Sequence, residues 1–257
     1  KHNTMQYRQV SFSDGFSWLK QGSQAIAQYP LGWFGLAAIY FLILYSPTAG
    51  FFFGVLEPAL LAGIYRAGQA QRTKQPWSLK TILSPLAGGS LPILILGLAL
   101  TLLKLVVLML GLMHIATVLD LEQLLHAYLQ EDWSTVRQIV NAPDVIPNMM
   151  LTLSVVFSLM LAISMAGLFS PILVAEHKLA VPVAMVLSLK AAVKNIGALT
   201  AYTSIFFIAA FFMAAGLAIV LLPMIAWFIA AYCYCVDDIF PDSEKHPVES
   251  NPAVIEV

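Results

Sequence analysis

The sequence predicts an all-α polytopic membrane protein, and three observations carry this fold class. Of the 257 residues, 60% are hydrophobic and only 11% are charged, whereas a soluble domain usually contains about 25% charged residues. Apolar segments close to the roughly 20 residues that a membrane span needs recur along the chain. Lysine and arginine are concentrated in alternate connections between them. This composition excludes an ordinary soluble enzyme, a disordered chain and a nucleic-acid-binding protein with a basic face.

We expect six transmembrane helices, arranged as three hairpins in one domain covering residues 1–236. Ser46-Pro47-Thr48 has turn chemistry and separates the first two spans. The fifth and sixth spans are separated only by Gly216, with Pro223 shortly after it. Residues 237–257 form an acidic tail beyond the last span. The predicted spans are residues 31–45, 50–67, 90–116, 148–174, 197–217 and 219–236.

The distribution of cations predicts the orientation of the chain. Eleven of the 13 lysine and arginine residues lie in the N-terminal segment, in the connections after the second and fourth spans, or in the tail. The long connection over residues 117–147 holds Arg137 as its one cation. Because cytoplasmic loops carry the excess of lysine and arginine, both termini are predicted to be cytoplasmic and residues 117–147 to form an outer loop.

Each hairpin is preceded by an amphipathic stretch, which we expect to form a helix in the cytoplasmic headgroup plane. Ser13 is expected to cap the first helix and Ser78 the second, and the third begins near Pro182. Direct identity between the three units is weak, so an internal repeat and three independent hairpins both stay open. The apolar faces are predicted to contain Phe16, Leu19 and Ile26 in the first helix, Leu79, Ile82, Leu83 and Leu86 in the second, and Met185, Leu189, Ala192, Val193 and Ile196 in the third. Four lysines on these helices are predicted to contact anionic lipid headgroups or a partner, namely Lys20, Lys80, Lys190 and Lys194.

The outer loop contains its own helical pattern. Leucines recur at helical spacing from Leu119 to Leu129, and Trp133, Val136 and Ile139 continue the pattern. One interpretation is a lid packed on the outer ends of the spans. The other is a docking site for an extracytoplasmic partner.

Two ionisable residues lie inside predicted spans, where charge is costly. Glu57 lies in the second span and Lys104 in the third, at a similar predicted depth in the outer half of the membrane. A functional interpretation makes them a polar gate, a proton site or a lipid-headgroup contact. The alternative, which we favour, is an ion pair that sets helix register or a Lys104 side chain that snorkels outward.

No constellation of residues predicts catalysis, a metal site or a cofactor. The sequence lacks nucleophile-elbow, phosphate-loop, dinucleotide, zinc-protease and haem-attachment motifs. The five histidines are scattered, and no span holds one near its middle. Cys233 and Cys235 point in different directions on a helix, so they are not expected to share a metal. The chain is therefore predicted not to be an enzyme.

Two stretches carry a resemblance to a known family. The first is Ser170-Pro171-Ile172-Leu173-Val174, followed by Ala184, Ser188, Lys190, Asn195 and Gly197; the second is Trp18-Leu19-Lys20 followed by Pro30-Leu31-Gly32-Trp33. They resemble bacterial inner-membrane proteins akin to the YciC proteins and to the membrane domain attached to some glycerophosphodiester phosphodiesterases. The resemblance implies a six-span helical protein of the bacterial inner membrane and brings no established activity. The outer loop is longer than this group leads us to expect.

These observations favour a non-enzymatic accessory or scaffold subunit that organises a membrane complex or its lipids. The expected partners are membrane lipids, another membrane protein complex and a second copy of the chain, because small residues inside several spans permit close helix packing. The alternative is a small-molecule or lipid transporter in which Glu57 and Lys104 line a cavity.

Overall fold

The structure is a computed structural model that describes residues 6–44, 47–87, 91–214 and 220–241. The described residues are 85% helical and contain no strand. The all-α prediction is therefore confirmed. The helices are α1 (Phe12–Gln28), α2 (Pro30–Leu44), α3 (Pro47–Arg72), α4 (Leu79–Leu83), α5 (Leu91–Val118), α6 (Leu121–Leu129), α7 (Trp133–Val140), α8 (Val145–Leu168), α9 (Ser170–Ala175), α10 (Val181–Lys194), α11 (Ile196–Thr203), α12 (Ile205–Ala214) and α13 (Leu221–Ile239).

The chain divides into two compact units. The terminal unit combines Lys1–Leu98 with Met165–Val257, and the central unit is Ala99–Ser164. Both α5 and α8 begin in one unit and end in the other, because the unit boundaries fall inside these helices.

In the terminal unit, α1 packs along α13 and α11 through glycines that allow close backbone approach. A Cβ atom on Gly22 would lie 2.8 Å from the backbone nitrogen of Ala231, and one on Gly15 would lie 2.2 Å from the carbonyl oxygen of Ala198. Trp18 and Leu19 are buried on the same side of α1. Of the face predicted to rest on lipid, Leu19 therefore contacts protein, whereas Phe16 is exposed and Ile26 is partly buried.

The helix caps follow local hydrogen bonding. The backbone N–H of Ser11 donates to Asp14 Oδ2 over 2.7 Å, so α1 begins after Ser11. The prediction of Ser13 as the cap is wrong, because the acidic residue three positions on favours Ser11. Ser78 caps α4, as predicted.

A second part of the core joins α2, α3, α4 and α13. Trp33 and Ile64 are fully or almost fully buried there, together with Ala226 and Cys233 of α13. Gly63 lies against the backbone of α4, since a Cβ atom at this position would lie 1.8 Å from the carbonyl oxygen of Ile82. The short second amphipathic helix is thus packed on the end of α3.

In the residues that the structure describes, all six predicted spans fall largely on helices. Residues 45, 90, 215–217 and 219 of these spans, and with them the predicted break at Gly216, lie outside the described residues. Only some of the helices are able to cross a membrane by length and composition. Three qualify in the described residues: Leu91–Val118, Val145–Ala175 and Leu221–Ile239. A fourth is added if Val181–Lys194 and Ile196–Phe212, which are bent by 85°, count as one span. A protein with membrane-spanning helices is supported, and the count of six stays a prediction.

The central unit contains the outer-loop helices α6 and α7 between parts of α5 and α8. Asp120 turns the chain with a φ of 42° and caps α6 by accepting a hydrogen bond from the Gln123 N–H over 3.3 Å. The predicted helical pattern is confirmed. The lid interpretation is not supported for Leu121, Leu125 and Leu129, because these side chains are exposed.

Candidate functional site

The terminal unit contains a set of three carboxylate–arginine pairs, which we call the polar layer. Arg72 pairs with Asp237. Arg8 pairs with Asp238 over 2.8 Å, and Arg66 pairs with Glu176 over 2.7 Å. All six side chains are between a quarter and just over a half exposed, so the pairs lie at an end of the helical bundle.

Asp237 accepts more side-chain hydrogen bonds than the other carboxylates of the polar layer. It accepts hydrogen bonds from the Tyr65 hydroxyl over 2.6 Å and from Gln69 Nε2 over 3.0 Å, in addition to Arg72. The Arg72 guanidinium lies 4.8 Å from the ring centre of Tyr234. This arrangement locks the end of α3 to the end of α13.

Asp238 and Asn195 attach the N-terminal segment to the same end of the unit. Asp238 accepts a hydrogen bond from Trp18 Nε1 over 2.6 Å as well as pairing with Arg8. The side chain of Asn195 accepts from the Val10 N–H over 2.8 Å and donates to the Arg8 carbonyl over 3.0 Å. The segment before α1 therefore lies between the start of α11 and the end of α13.

The polar layer is a structural network, since each carboxylate has a cation and both Asp237 and Asp238 accept further hydrogen bonds. It gathers the C-terminal ends of α3, α9 and α13 with the N-terminal segment and the start of α11. Sequence reasoning missed it. The spacing of Tyr65, Gln69 and Arg72 on one face of α3 was a local signal, but their acidic partner lies 165 residues further along the chain.

The predicted lipid-contacting lysines differ in exposure. Lys20, Lys80 and Lys190 are exposed. Lys194 is half-buried, and its ammonium lies 5.6 Å from the ring centre of Tyr7, where a cation–π interaction holds it.

The exposed face of α10 differs from the prediction. Val183, Val186, Lys190 and Val193 form an exposed stripe at helical spacing. The protein-facing side is made of small residues and Ser188, whose hydroxyl donates to the Met165 carbonyl over 2.7 Å. Ala192 is buried rather than lipid-facing, because the small side chains allow α10 to approach α9 and α11 closely. An apolar stripe with a lysine in it is typical of an interfacial helix.

Glu57 and Lys104 lie on different units and are each half-buried. Their pairing stays a prediction. Glu57 is followed by Pro58 inside α3 and lies within electrostatic reach of the Tyr40 hydroxyl. That hydroxyl is buried and has no hydrogen-bond partner among the described residues. The Tyr40 ring packs edge-on against Phe53, one helical turn before Glu57.

The burial of the three candidate spans runs against their hydropathy. Leu91–Val118 is the most hydrophobic, yet only 22% of its most apolar window is buried. The share is 11% for Val145–Ala175 and 61% for Leu221–Ile239, which is the least hydrophobic of the three. In water the most apolar helices would be expected inside the protein. Low burial of the two more hydrophobic helices, as seen here, is typical of helices that face lipid.

Among the described residues, no group of three or more histidine, cysteine, aspartate and glutamate side chains is placed to hold a metal ion. Cys233 and Cys235 are buried free thiols. No family model, curated protein or solved structure matches the chain. The resemblance to the YciC proteins therefore stays a prediction.

Proposed function

We propose that this protein is a non-enzymatic multi-pass membrane protein that acts as an accessory or scaffold subunit organising a membrane complex or its lipids. One observation carries the proposal: of the three helices able to cross a membrane, the two more hydrophobic ones bury the smaller share of their most apolar windows. Large apolar faces of this kind need lipid or another membrane helix as a neighbour.

The proposal includes a six-span topology in a bacterial inner membrane with both termini in the cytoplasm. The polar layer supports this topology. In a chain of three hairpins, the N-terminal segment lies on the same side of the membrane as the ends of the second, fourth and sixth spans. The start of the fifth span lies on that side as well. The corresponding parts of the terminal unit meet in the polar layer. The cations Arg8, Arg66 and Arg72 lie there, as the positive-inside rule requires of a cytoplasmic side.

The exposed stripe of Val183, Val186, Lys190 and Val193, which we call the α10 stripe, supports the proposed contact with anionic lipid. Lys190 is exposed among Val183, Val186 and Val193. The valines would enter the headgroup region while the ammonium meets a lipid phosphate. Lys194, close to Tyr7, adds a second positive charge to the same helix.

Native mass spectrometry of the chain released gently from its own membrane tests the proposal. We expect a stoichiometric protein partner or bound anionic lipid. The double substitution Lys190→Glu and Lys194→Glu should reduce retained anionic lipid or partner severalfold. Lys74→Glu, an exposed charge reversal outside α10, should change retention little. Unchanged retention in the double variant would contradict the proposed role of α10.

A transport function is the second candidate, and the Tyr40–Glu57 neighbourhood favours it. A buried hydroxyl without a hydrogen-bond partner among the described residues, beside a carboxylate, is a polar position inside an apolar helix pair. In this case the released protein would carry a small molecule or lipid and no partner protein. Glu57→Gln should then abolish its retention while the thermal unfolding temperature stays unchanged.

A further inference from the structure

Helix α6 of the outer loop has an apolar surface that no described residue covers. We call this surface the α6 stripe, and it consists of Leu121, Leu125, Tyr128 and Leu129. Leu125 is 59% exposed and Leu129 is 72% exposed. Leu124 and Ala127, on the adjoining side of α6, are the partly buried and buried residues of this helix, which packs against α7. A nine-residue helix thus has one face against protein and a second apolar face with nothing on it in the described part of the chain.

The α6 stripe has the side chains of a membrane interface. Tyr128 packs edge-on against Trp133, with ring centres 5.7 Å apart, so an aromatic pair stands where α6 passes into α7. Tyrosine and tryptophan are enriched where membranes meet water, because each has an apolar ring and a polar atom. The opposite side of α6 is polar and exposed, and consists of Gln123, His126 and Gln130, while Glu122 lies at the edge of the stripe, one heptad before Leu129.

The α6 stripe also continues surfaces that face lipid under the proposed topology. Helix α5 ends at Val118, and α6 begins at Leu121 after the turn at Asp120. Exposed apolar side chains lead up to this turn on α5 and away from the loop on α8, namely Leu110, Leu112, Met113, Ile146, Met150 and Leu151. The stripe is therefore joined by a turn of two residues, Leu119 and Asp120, to a helix able to cross a membrane.

Charge distinguishes this surface from the α10 stripe. The neighbourhood of α6 is acidic, with Asp120, Glu122, Glu131 and Asp132 all exposed. Such a surface is not attracted to anionic lipid, so its membrane contact would depend on apolar area and on the aromatic pair. A weakly charged or zwitterionic lipid surface fits it best.

From these observations we propose that α6, with the start of α7, is a membrane-interface helix pair whose α6 stripe inserts into the outer headgroup region of the bilayer. The inference rests on the proposed membrane topology and adds a second attachment surface to it. In this arrangement the outer loop is held on the bilayer rather than standing in the aqueous phase. The carboxylates of α6 then face water.

Spin labelling of the full chain in phosphatidylcholine vesicles tests the inference. Leu125→Cys and Leu129→Cys report on the stripe, and Gln123→Cys is the matched control on the polar side of the same helix. Leu110→Cys, in the exposed middle part of α5, reports on the span itself. The two native cysteines are buried, so labelling at the exposed sites is selective. Each label is measured for collision with oxygen, which concentrates in lipid, and with a water-soluble nickel complex.

We expect the labels at Leu125, Leu129 and Leu110 to collide severalfold more with oxygen than with nickel, and the label at Gln123 to do the reverse. If Leu110 shows lipid contact but Leu125 and Leu129 show water contact, the inference is wrong and the topology stands. If Leu125 and Leu129 are shielded from both reagents, another protein surface covers the stripe and the inference is also wrong. Water contact at Leu110 would overturn the proposed topology itself.

Discussion

The terminal and central units place apolar helices in opposite environments. In the terminal unit, α13 buries 61% of its most apolar window against α1, α2 and α3. The helices Leu91–Val118 and Val145–Ala175, which supply most of the central unit, bury 22% and 11%. Hydropathy does not determine burial here, because a lipid-facing helix needs apolar side chains on its outside as well. Small residues and polar pairs determine which helix is enclosed by protein.

The same contrast applies to close helix contacts. In the terminal unit, Gly15, Gly22 and Gly63 each lie against backbone atoms of a neighbouring helix. In the central unit, Gly111 lies against the Cγ2 atom of the Val156 side chain, which would be 2.5 Å from an added Cβ. A side chain is able to rotate away, whereas a backbone carbonyl within a helix is not. The terminal unit should therefore tolerate less change than the central unit.

The largest effect is expected for Gly63→Ala, which drives a methyl group into the Ile82 carbonyl. We expect a loss of about 3 kcal/mol in the free energy of unfolding, the upper part of the usual range for overpacking. Gly111→Ala should cost about 1 kcal/mol or less, since only Val156 must move. Gly35→Ala is the control, because nothing lies within 4 Å of the added atom. Denaturant titration in mixed micelles measures all three, and equal losses at Gly63 and Gly111 would remove the contrast between the units.

The second effect compares two leucines of one helix. Leu96 is fully buried and Leu110 is 62% exposed, and both belong to α5. Leu96→Ala should lower the free energy of unfolding by about 2 kcal/mol, mainly through lost packing. Leu110→Ala should lower it by less than about 0.5 kcal/mol, because a lipid chain fills the space. Thermal unfolding in lipid bicelles reports both; a large loss at Leu110 would mean that a protein surface covers it.

A smaller effect is expected in the polar layer. Asp237→Asn keeps an acceptor for Tyr65 and Gln69 but removes the negative charge that faces Arg72. Because both members of the ion pair are about a quarter to a third exposed, we expect a loss of about 1 kcal/mol. Unfolding measured at low and high salt checks the cause. Salt should reduce the difference between the two proteins, and a difference independent of salt would point to lost packing instead.

The smallest effect concerns the cap of α7 in the central unit. Hydrogen bonds from Ser134 and Thr135 lower the pKa of the exposed Asp132 carboxyl to about 2, from a usual value near 4. Because the folded state lowers this pKa, the carboxylate stabilises α7 above about pH 4, and its contribution is lost as the pH falls toward about 2. The protection factor of the Thr135 amide, which corrects for the intrinsic pH dependence of exchange, should therefore fall over this interval. Asp132→Asn should abolish the pH step while keeping the cap.

Features that depend on neighbouring residues in the sequence were predicted better than features that depend on contacts between distant residues. The helical pattern of the outer loop, the cap at Ser78 and the positions of the apolar helices follow from short-range spacing, and the structure has each of them. The cap of α1 was misplaced by two residues, since Ser11 and Ser13 both precede an apolar pattern and only the hydrogen bond to Asp14 separates them. The exposed side of α10 was predicted in part: Val193 and Ile196 are exposed as expected, but Ala192 is buried because small residues make most of the protein contact of this helix.

By itself, the amino-acid sequence determined that this is an all-α protein with helices apolar enough to cross a membrane, because composition and helical period are properties of contiguous residues. Tertiary structure alone decided which apolar helix is enclosed and which is exposed. It also decided that Asp237 meets Tyr65, Gln69 and Arg72. The physical reason is that these contacts join residues far apart in the chain, and they depend on how closely Gly22 and Gly63 let the helices approach.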